Sequence, residues 1–141
     1  MLNLSKSKEA LELSEKKAKE LGIKVTTVVV DEHGTLVAMS RMDGAFYISP
    51  KFASMKAYTS ALLGLPSGDI APYTEEGKPY FGLNAAFSNE LITLAGGLPI
   101  KDGDKVVGGV GVGGSLDVND DVKCAEEALK AFGKTEVKSV A

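Results

Sequence analysis

The sequence of 141 residues has no tryptophan, one cysteine and one histidine, and only 6% of its residues are aromatic. We therefore expect a core of Val, Leu, Ile and Ala, which suits a sheet covered by helices. The single cysteine, Cys124, excludes an internal disulfide and fits a reducing compartment. One histidine, His33, cannot build a typical zinc site without other ligands. No Gly-x-Ser-x-Gly or Cys-x-x-Cys motif occurs, so a conventional hydrolase or zinc enzyme is not expected.

Long apolar runs and an excess of one charge are also absent. The formal net charge is −3 with lysines and acids interspersed, so the basic field that nucleic-acid binding usually needs is missing. No stretch approaches the ~18 apolar residues of a membrane span, and residues 1–20 do not resemble a signal peptide. We therefore expect a cytoplasmic protein with neither a nucleic-acid nor a membrane partner. The length fits a single domain over residues 1–141.

Hydrophobic spacing and punctuation residues predict blocks of helix and strand. Gly22 and Gly64 are placed to end the first two helices. Ser49 is the candidate N-cap of the second helix, and Asp117 caps the last. The predicted helices cover residues 5–21, 50–63 and 118–133, and the predicted strands cover residues 23–31, 35–43, 91–95, 98–100 and 105–114. The order helix-strand-strand-helix-loop-strand-strand-strand-helix predicts an α+β domain with an antiparallel sheet flanked by helices. A frayed tail is expected over residues 134–141.

Two short turns and one helix face carry further expectations. "DEHG" closes the first hairpin, and "KDGD" closes the second with Gly103 at a position that needs positive φ. His33 in the first turn is interpreted as a turn residue that tolerates left-handed geometry beside Gly34, with haem ligand, metal ligand and general base as the functional alternatives. Cys124 is expected on the buried side of the last helix. The predicted apolar face of the middle helix consists of Phe52, Met55, Thr59 and Leu62.

The stretch "GGVGVGGS", Gly108–Ser115, offers two interpretations. A glycine-rich turn before a helix is typical of a phosphate loop, but these glycines begin inside a strand and acidic residues already occupy the helix start. The alternative is that Gly109, Gly111 and their neighbours leave the strand bare, so that another backbone, a helix or a flat ligand can approach.

Two further groups of residues are candidates for binding. Arg41 and Asp43 in "RMDGA" could bind a carboxylate, or they could pair with each other and shape a turn or a subunit contact. The long segment over residues 65–90 is expected to be functional or an interaction surface. Within it, Tyr73 and Tyr80 are candidates for packing across an interface, and a phenolate can also ligate haem iron.

Three stretches together resemble a known family. These are "VVVDEHGTLVAMSRMDGA", the helix with "KAYTSA", and "AGGLPIKDGDKVVGGVGVGGS" before an acid-started helix. The chain resembles the GlcG/HbpS haem-binding family, to which the C-terminal domain of PduO-type corrinoid adenosyltransferases belongs, over about residues 8–133. The positions that match its signatures are Asp31, Gly34, Arg41, Asp43, Gly44, Ala45, Lys56, Ala57, Thr59, Gly96, Gly97, Pro99, Ile100, Gly103, Gly108, Gly111 and Gly114.

The resemblance implies a profilin-like fold that assembles into homo-oligomers, from dimers to octamers, and haem as a candidate cofactor. It favours a small binding protein that holds haem or a related tetrapyrrole between subunits, near the long loop and the strand with Gly109 and Gly111. His33, Tyr73 or Tyr80 could then reach the iron. The alternative is an enzyme or auxiliary protein that acts on a small organic acid or other metabolite, without a metal. Arg41 and Asp43 would then bind the substrate, and residues 31–33 would supply the acid or base. A structural or regulatory protein without a small ligand is a third reading, and the sequence leaves enzymatic activity open.

Overall fold

A computed structural model describes residues 2–133 as a four-stranded antiparallel sheet with helices on both faces. The elements are α1 (Leu4–Leu21), β1 (Thr26–Asp31), β2 (Leu36–Arg41), α2 (Ser49–Leu63), α3 (Leu83–Ala86), β3 (Gly97–Asp102), β4 (Lys105–Gly113) and α4 (Val118–Leu129). Short 3₁₀ turns cover Ser67–Tyr73 and Lys130–Phe132. The predicted α+β class, with an antiparallel sheet flanked by helices, is confirmed. The predicted frayed tail, residues 134–141, lies outside the described residues.

The strand order is β2-β1-β4-β3, and all neighbouring strands are antiparallel. Each hairpin pairs locally, and the two hairpins meet at the ladder between β1 and β4. Alternate residues of β1 face different helices, because successive side chains of a strand point to opposite faces. Val28 and Val30 pack with α2, whereas Val29, together with Val25 just before the strand, joins the core formed with α1 and α4.

Helix ends follow the predicted punctuation. Gly22 and Gly64 end α1 and α2 with φ values of +72° and +69°, a conformation that favours glycine. Asp117 caps α4 by accepting a hydrogen bond from Asn119 N at 2.9 Å. Ser49 does not cap α2, because the helix begins at Ser49 itself. The Ser49 hydroxyl donates to Phe46 O at 2.6 Å, and Ser49 Oγ lies 2.8 Å from Thr26 Oγ1.

The helix α2 lies directly on the backbone of β4. A Cβ on Gly111 would fall well inside van der Waals contact of the Ala53 carbonyl oxygen, and one on Gly109 would overlap the Ala57 carbonyl oxygen. The glycines therefore remove side chains where the helix backbone meets the strand. Of the two interpretations of the glycine-rich stretch, a close approach by a helix is the one that the structure has.

The predicted apolar face of α2 is wrong except for Thr59, which is buried. Apart from Lys56, the helix turns small residues to the sheet, because the glycines of β4 bring its backbone close to the strand, and the large apolar residues lie to the side. The buried residues of α2 are Ser49, Ala53, Lys56, Ala57, Thr59, Ser60 and Ala61, and Leu62 is exposed.

The predicted strand over residues 91–95 is also wrong, and the last third of the described chain contributes two strands instead of three. Hydrogen bonds with side-chain hydroxyl groups, instead of a strand ladder, hold the backbone of this segment. Ile92 N donates to Thr59 Oγ1 at 2.9 Å, and Leu94 O accepts from Ser67 Oγ at 2.6 Å. The backbone of this segment is therefore held on α2 and on the following 3₁₀ turn as irregular structure, which a short, mostly apolar run cannot distinguish from a strand.

Candidate functional site

The turn between β1 and β2 is built by the carboxylate of Asp31. Its Oδ1 accepts hydrogen bonds from His33 N at 2.9 Å and from Thr35 N at 3.0 Å. Gly34, not His33, takes the left-handed conformation, with φ of +80°. The side chain of His33 is 80% exposed, and its Nε2 lies 3.6 Å from Glu32 Oε1. The expectation that His33 itself adopts left-handed geometry is therefore wrong, and its imidazole is free to reach outwards.

A cleft opens beside this turn, between the hairpin and α2. Its volume is about 210 Å³, and it is open to solvent along one side. The hairpin contributes an apolar floor, and α2 contributes a wall with polar groups at the rim. The lining residues are Val28, Val30, Gly34 and Leu36 from the hairpin, Lys51, Ser54, Met55 and Tyr58 from α2, and Glu90 from the segment before β3. The cleft therefore combines an apolar surface with one cation, Lys51, and one carboxylate, Glu90, in its lining.

Tyr58 joins the three parts of the cleft. Its ring lies against Gly34 so closely that a Cβ there would overlap it, and its hydroxyl faces the carboxylate of Glu90. Desolvation raises the pKa of Tyr58, and the nearby carboxylate of Glu90 raises it further. Because the neutral phenol is favoured, Tyr58 acts as a hydrogen-bond donor in the cleft rather than as a phenolate ligand.

Arg41 and Asp43 lie at the other end of β2. Both line an open groove with Lys19 and Lys24, and the guanidinium of Arg41 lies 5.4 Å from the centroid of the Tyr47 ring. Among residues 2–133 no ion pair joins Arg41 to Asp43. The length of β2, roughly 17 Å, separates this groove from the first turn. Within one chain, the carboxylate-binding pair and the acid or base proposed over residues 31–33 therefore do not share a site.

Tyr73 and Tyr80 are brought together in the long connection after α2. Tyr80 N donates to Tyr73 O at 3.0 Å, and both rings are exposed. Neither residue lines the cleft beside Gly34. Gly109 and Gly111 are fully buried beneath α2, so no flat ligand can reach them from that face. Their expected contact with a cofactor is replaced by contact with the helix, because the missing side chains admit the helix backbone.

An ion pair is buried away from the cleft, between α2 and α4. Lys56 of α2 and Asp121 of α4 are 2% and 1% exposed, and Lys56 Nζ donates to Asp121 Oδ2 at 3.1 Å and to Val112 O at 2.9 Å. Asp121 Oδ1 accepts from Ser115 N at 3.1 Å. Burial lowers the pKa of Lys56 and raises the pKa of Asp121, while their mutual attraction opposes both changes. The pair links helices on opposite faces of the sheet, and we assign it a structural role.

Cys124 is buried as predicted, and burial with the nearby charge of Asp121 raises its pKa to about 12. Its thiol is therefore unreactive at neutral pH. In the part of the chain that the structure covers, no group of three or more His, Cys, Asp or Glu side chains could hold a metal ion. Nor is any helix over residues 2–133 long and apolar enough to cross a membrane.

Comparison with known proteins decides the family. A family model described as "Haem degrading protein HbpS-like" matches residues 2–130. The chain belongs to the HbpS-like family. A similar protein, the uncharacterized 15.0 kDa protein of the dhaT-dhaS intergenic region of Citrobacter freundii, is 34% identical over 133 residues, which are 94% of this chain and 93% of the relative. The corrinoid adenosyltransferase PduO of Salmonella typhimurium is 27% identical over 116 residues, 82% of this chain, and this HbpS-like chain spans about a third (34%) of its length.

Solved structures share the HbpS-like fold. Protein ORFY of Klebsiella pneumoniae superposes with a TM-score of 0.90 and 31% identity, over 96% of this chain and 92% of that protein. PduOC, solved as a complex with heme, superposes with a TM-score of 0.90 and 23% identity, over 97% of this chain and 99% of that one. The family resemblance inferred from the sequence is therefore confirmed, and the fold extends across nearly the whole chain.

Sequence reasoning missed two residues that shape the HbpS-like domain. Tyr58 and Lys56 both lie in the "KAYTSA" stretch, but neither was singled out for the position its side chain takes. A lysine among small residues on one helix face is a usable signal, because a charged residue in a close-packed stripe needs a buried partner. The role of Tyr58 depends on Gly34 and Glu90, which are distant in sequence, so no local pattern announces it.

Proposed function

We propose that this HbpS-like protein is a small homo-oligomeric binding protein that holds haem or a related tetrapyrrole in the cleft beside Gly34, at a boundary between subunits. The observation that carries the proposal is the cleft itself, with an apolar floor, a cation at its rim and an exposed imidazole on the adjoining turn. PduOC, which shares the fold, was solved with heme, and this supports the choice of ligand. A cytoplasmic location, favoured by the single cysteine, belongs to the proposal.

The residues of the cleft fit part of such a ligand. Val30, Leu36 and Met55 offer apolar contact to the macrocycle, and the ammonium of Lys51 can pair with a carboxylate side chain of the ring. At about 210 Å³ the cleft is smaller than the 300–1,000 Å³ typical of complete ligand pockets, so the ring would project beyond it. A second subunit is therefore needed to cover the rest.

His33 is the first candidate for an iron ligand. It adjoins Gly34 at the edge of the cleft, and its exposed imidazole can turn towards a ligand seated there. Tyr73 and Tyr80 lie outside the cleft of their own chain, so they would serve only a ligand that also contacts another subunit. Bound haem would supply a redox-active iron, and the part of the protein is to hold the ring and exclude water from one face.

Titration with hemin tests this proposal. We expect a saturable Soret band for the wild type and a shifted, weaker band for His33→Ala. Leu36→Asp places a charge on the apolar floor and should weaken binding about tenfold or more, a loss of about 1.4 kcal/mol. Leu116→Asp is the matched control, because Leu116 is 94% exposed and lies outside the cleft, and it should bind hemin as the wild type does.

Three outcomes would contradict the parts of the proposal separately. The absence of saturable binding by the wild type would end the tetrapyrrole proposal. Equal weakening by Leu36→Asp and Leu116→Asp would move the site away from the cleft. Identical spectra for the wild type and His33→Ala would remove His33 as the ligand while leaving the cleft in place.

A further inference from the structure

The two edges of the sheet are protected to different degrees. On β3, Pro99 has no N–H to offer, and Gly97 N already donates to Ser67 Oγ at 2.8 Å. Proline and occupied backbone groups prevent an edge strand from pairing with another chain. The other edge, β2, contains no proline, glycine or lysine over Leu36–Arg41. The irregularity in its ladder with β1 lies near Leu36 and leaves Ala38–Arg41 regular.

The backbone of β2 presents unpaired groups to its open side. Met42 N donates to Val25 O at 3.0 Å, in the same register as the β1–β2 ladder. Because hydrogen-bonded and non-hydrogen-bonded pairs alternate in an antiparallel ladder, Ser40 and Ala38 bond to β1, whereas the N–H and C=O groups of Met39 and Arg41 point outwards. An extended strand can pair with them directly.

The side chains of β2 also lack a covering element on one face. The helix α2 packs on β4, β1 and β3 and hardly touches β2. On that face Leu36 is 57% exposed and Met39 is 45% exposed, although their counterparts on β1, Val30 and Val28, are buried. The cleft ends at this uncovered strand, so an element that covers β2 also extends the cleft.

We propose that β2 pairs antiparallel with β2 of a second copy of this chain about a two-fold axis, joining two sheets and merging two clefts into one groove. The choice of a second copy rests on charge. The acidic residues Asp31 and Glu32 precede β2, and Arg41 ends it. Antiparallel pairing directs the basic end of each copy towards the acidic turn of the other, with the apolar residues between them, which is the self-complementarity that a two-fold interface requires.

The merged groove has the width that the proposed ligand needs. Two copies of β1 would lie three strand spacings apart, roughly 14 Å, with an α2 helix as the wall on each side. Leu36 and Met39 of both copies would form its floor. For the identity of the ligand this inference rests on the proposed function, whereas the interface itself rests only on the strand and its charges. It also brings Arg41 towards the turn with His33, which one chain alone does not do.

The interface is tested on the full chain by native mass spectrometry and light scattering. Met39→Pro removes an outward N–H without breaking the ladder to β1, and Met39→Lys adds a charge to the edge while keeping the backbone intact. We expect the wild type to contain an even number of chains and both variants to have half its mass or less. Leu116→Lys, on a different surface, is the control and should keep the wild-type mass. Far-UV circular dichroism confirms that each variant is folded.

A monomeric wild type, or Met39 variants that keep the wild-type mass, would overturn the interface. Hemin titration distinguishes failure of the interface from failure of the proposed haem binding. In the merged groove we expect one hemin for two wild-type chains and at least tenfold weaker binding by Met39→Lys. Haem binding with an unchanged mass in the variants would refute the interface alone. Halved masses without haem binding by the wild type would refute the ligand alone.

Discussion

The strands β4 and β2 flank β1 on either side and differ in what covers them. β4 is bare at Gly109, Gly111 and Gly113, and α2 fills the space above those residues. β2 has no glycine, and Leu36 and Met39 stand exposed on the same face of the sheet. The glycines of β4 therefore mark the place where a helix backbone packs closely on the sheet. The space proposed for a ligand lies beside β2, whose large side chains α2 does not cover.

The largest expected loss of stability concerns the buried ion pair between Lys56 of α2 and Asp121 of α4. Lys56→Met leaves the carboxylate of Asp121 buried without its partner and should cost about 3–5 kcal/mol of unfolding free energy. The double variant Lys56→Met/Asp121→Leu removes both charges and should recover most of that loss. Urea unfolding measures both values, and a double variant no more stable than the single one would contradict a role limited to charge pairing.

The same pair predicts a pH dependence with a definite sign. In Asp121→Asn, Lys56 stays buried without its carboxylate, so its pKa in the folded chain falls further below the ordinary value of 10.5. Between that lowered pKa and 10.5 the unfolded chain binds more protons, so stability rises with pH across this window. The deficit in melting temperature relative to the wild type should therefore shrink from pH 6 to pH 9. A deficit that is constant or growing would contradict the burial of a charged Lys56.

Gly→Ala substitutions in β4 should lower the stability by amounts that depend on how closely α2 approaches each glycine. A Cβ on Gly111 would overlap the Ala53 carbonyl oxygen, whereas one on Gly113 would lie 3.1 Å from the Ser49 carbonyl oxygen. Gly111→Ala should therefore cost about 3 kcal/mol, because α2 must lift from the strand, and Gly113→Ala should cost roughly 1 kcal/mol. On the open strand, Met39→Ala should cost less than about 1 kcal/mol. Equal losses at the two glycines in urea unfolding would contradict the close packing described for α2.

The smallest effect is expected for the hydroxyl at the rim of the cleft. Tyr58→Phe keeps the ring against Gly34 and removes only the hydroxyl that faces Glu90, so it should cost about 0.5 kcal/mol or less. Tyr58→Ala also loses the contact with the turn and should cost about 3 kcal/mol. Thermal unfolding compares the two variants. A loss for Tyr58→Phe as large as that for Tyr58→Ala would place the whole contribution of Tyr58 in its hydroxyl.

Local signals in the sequence predicted the elements well. Gly22 and Gly64 end helices as expected, Asp117 caps α4, and Gly103 turns the second hairpin with φ of +63°. These features depend on neighbours within a few residues, so the sequence contains the full cause. The central position of β1 followed from its apolar run Val28–Val30, because a strand buried on both faces is rich in apolar residues. Its buried Thr26 and Thr27 pair their hydroxyls with Ser49 and Ser14.

Features that depend on distant contacts could not be predicted in this way. The face of α2 is chosen by the glycines of β4, which lie about fifty residues further along the chain. The irregular path over residues 91–95 is fixed by the hydroxyls of Thr59 and Ser67. The cleft needs the hairpin, α2 and Glu90 together. The sequence therefore identified the turn with His33 and missed the cleft beside it.

The ladder between β1 and β4 predicts an order of events during folding. Thr26 pairs with Gly113 and Asp31 pairs with Gly108, whereas each hairpin closes within a few residues. Both hairpins can therefore form early, and the slow step is their meeting across the long chain that joins them. Because the entropy of loop closure grows only slowly with length, a moderately shorter connection would change both the rate of that meeting and the free energy of unfolding only slightly.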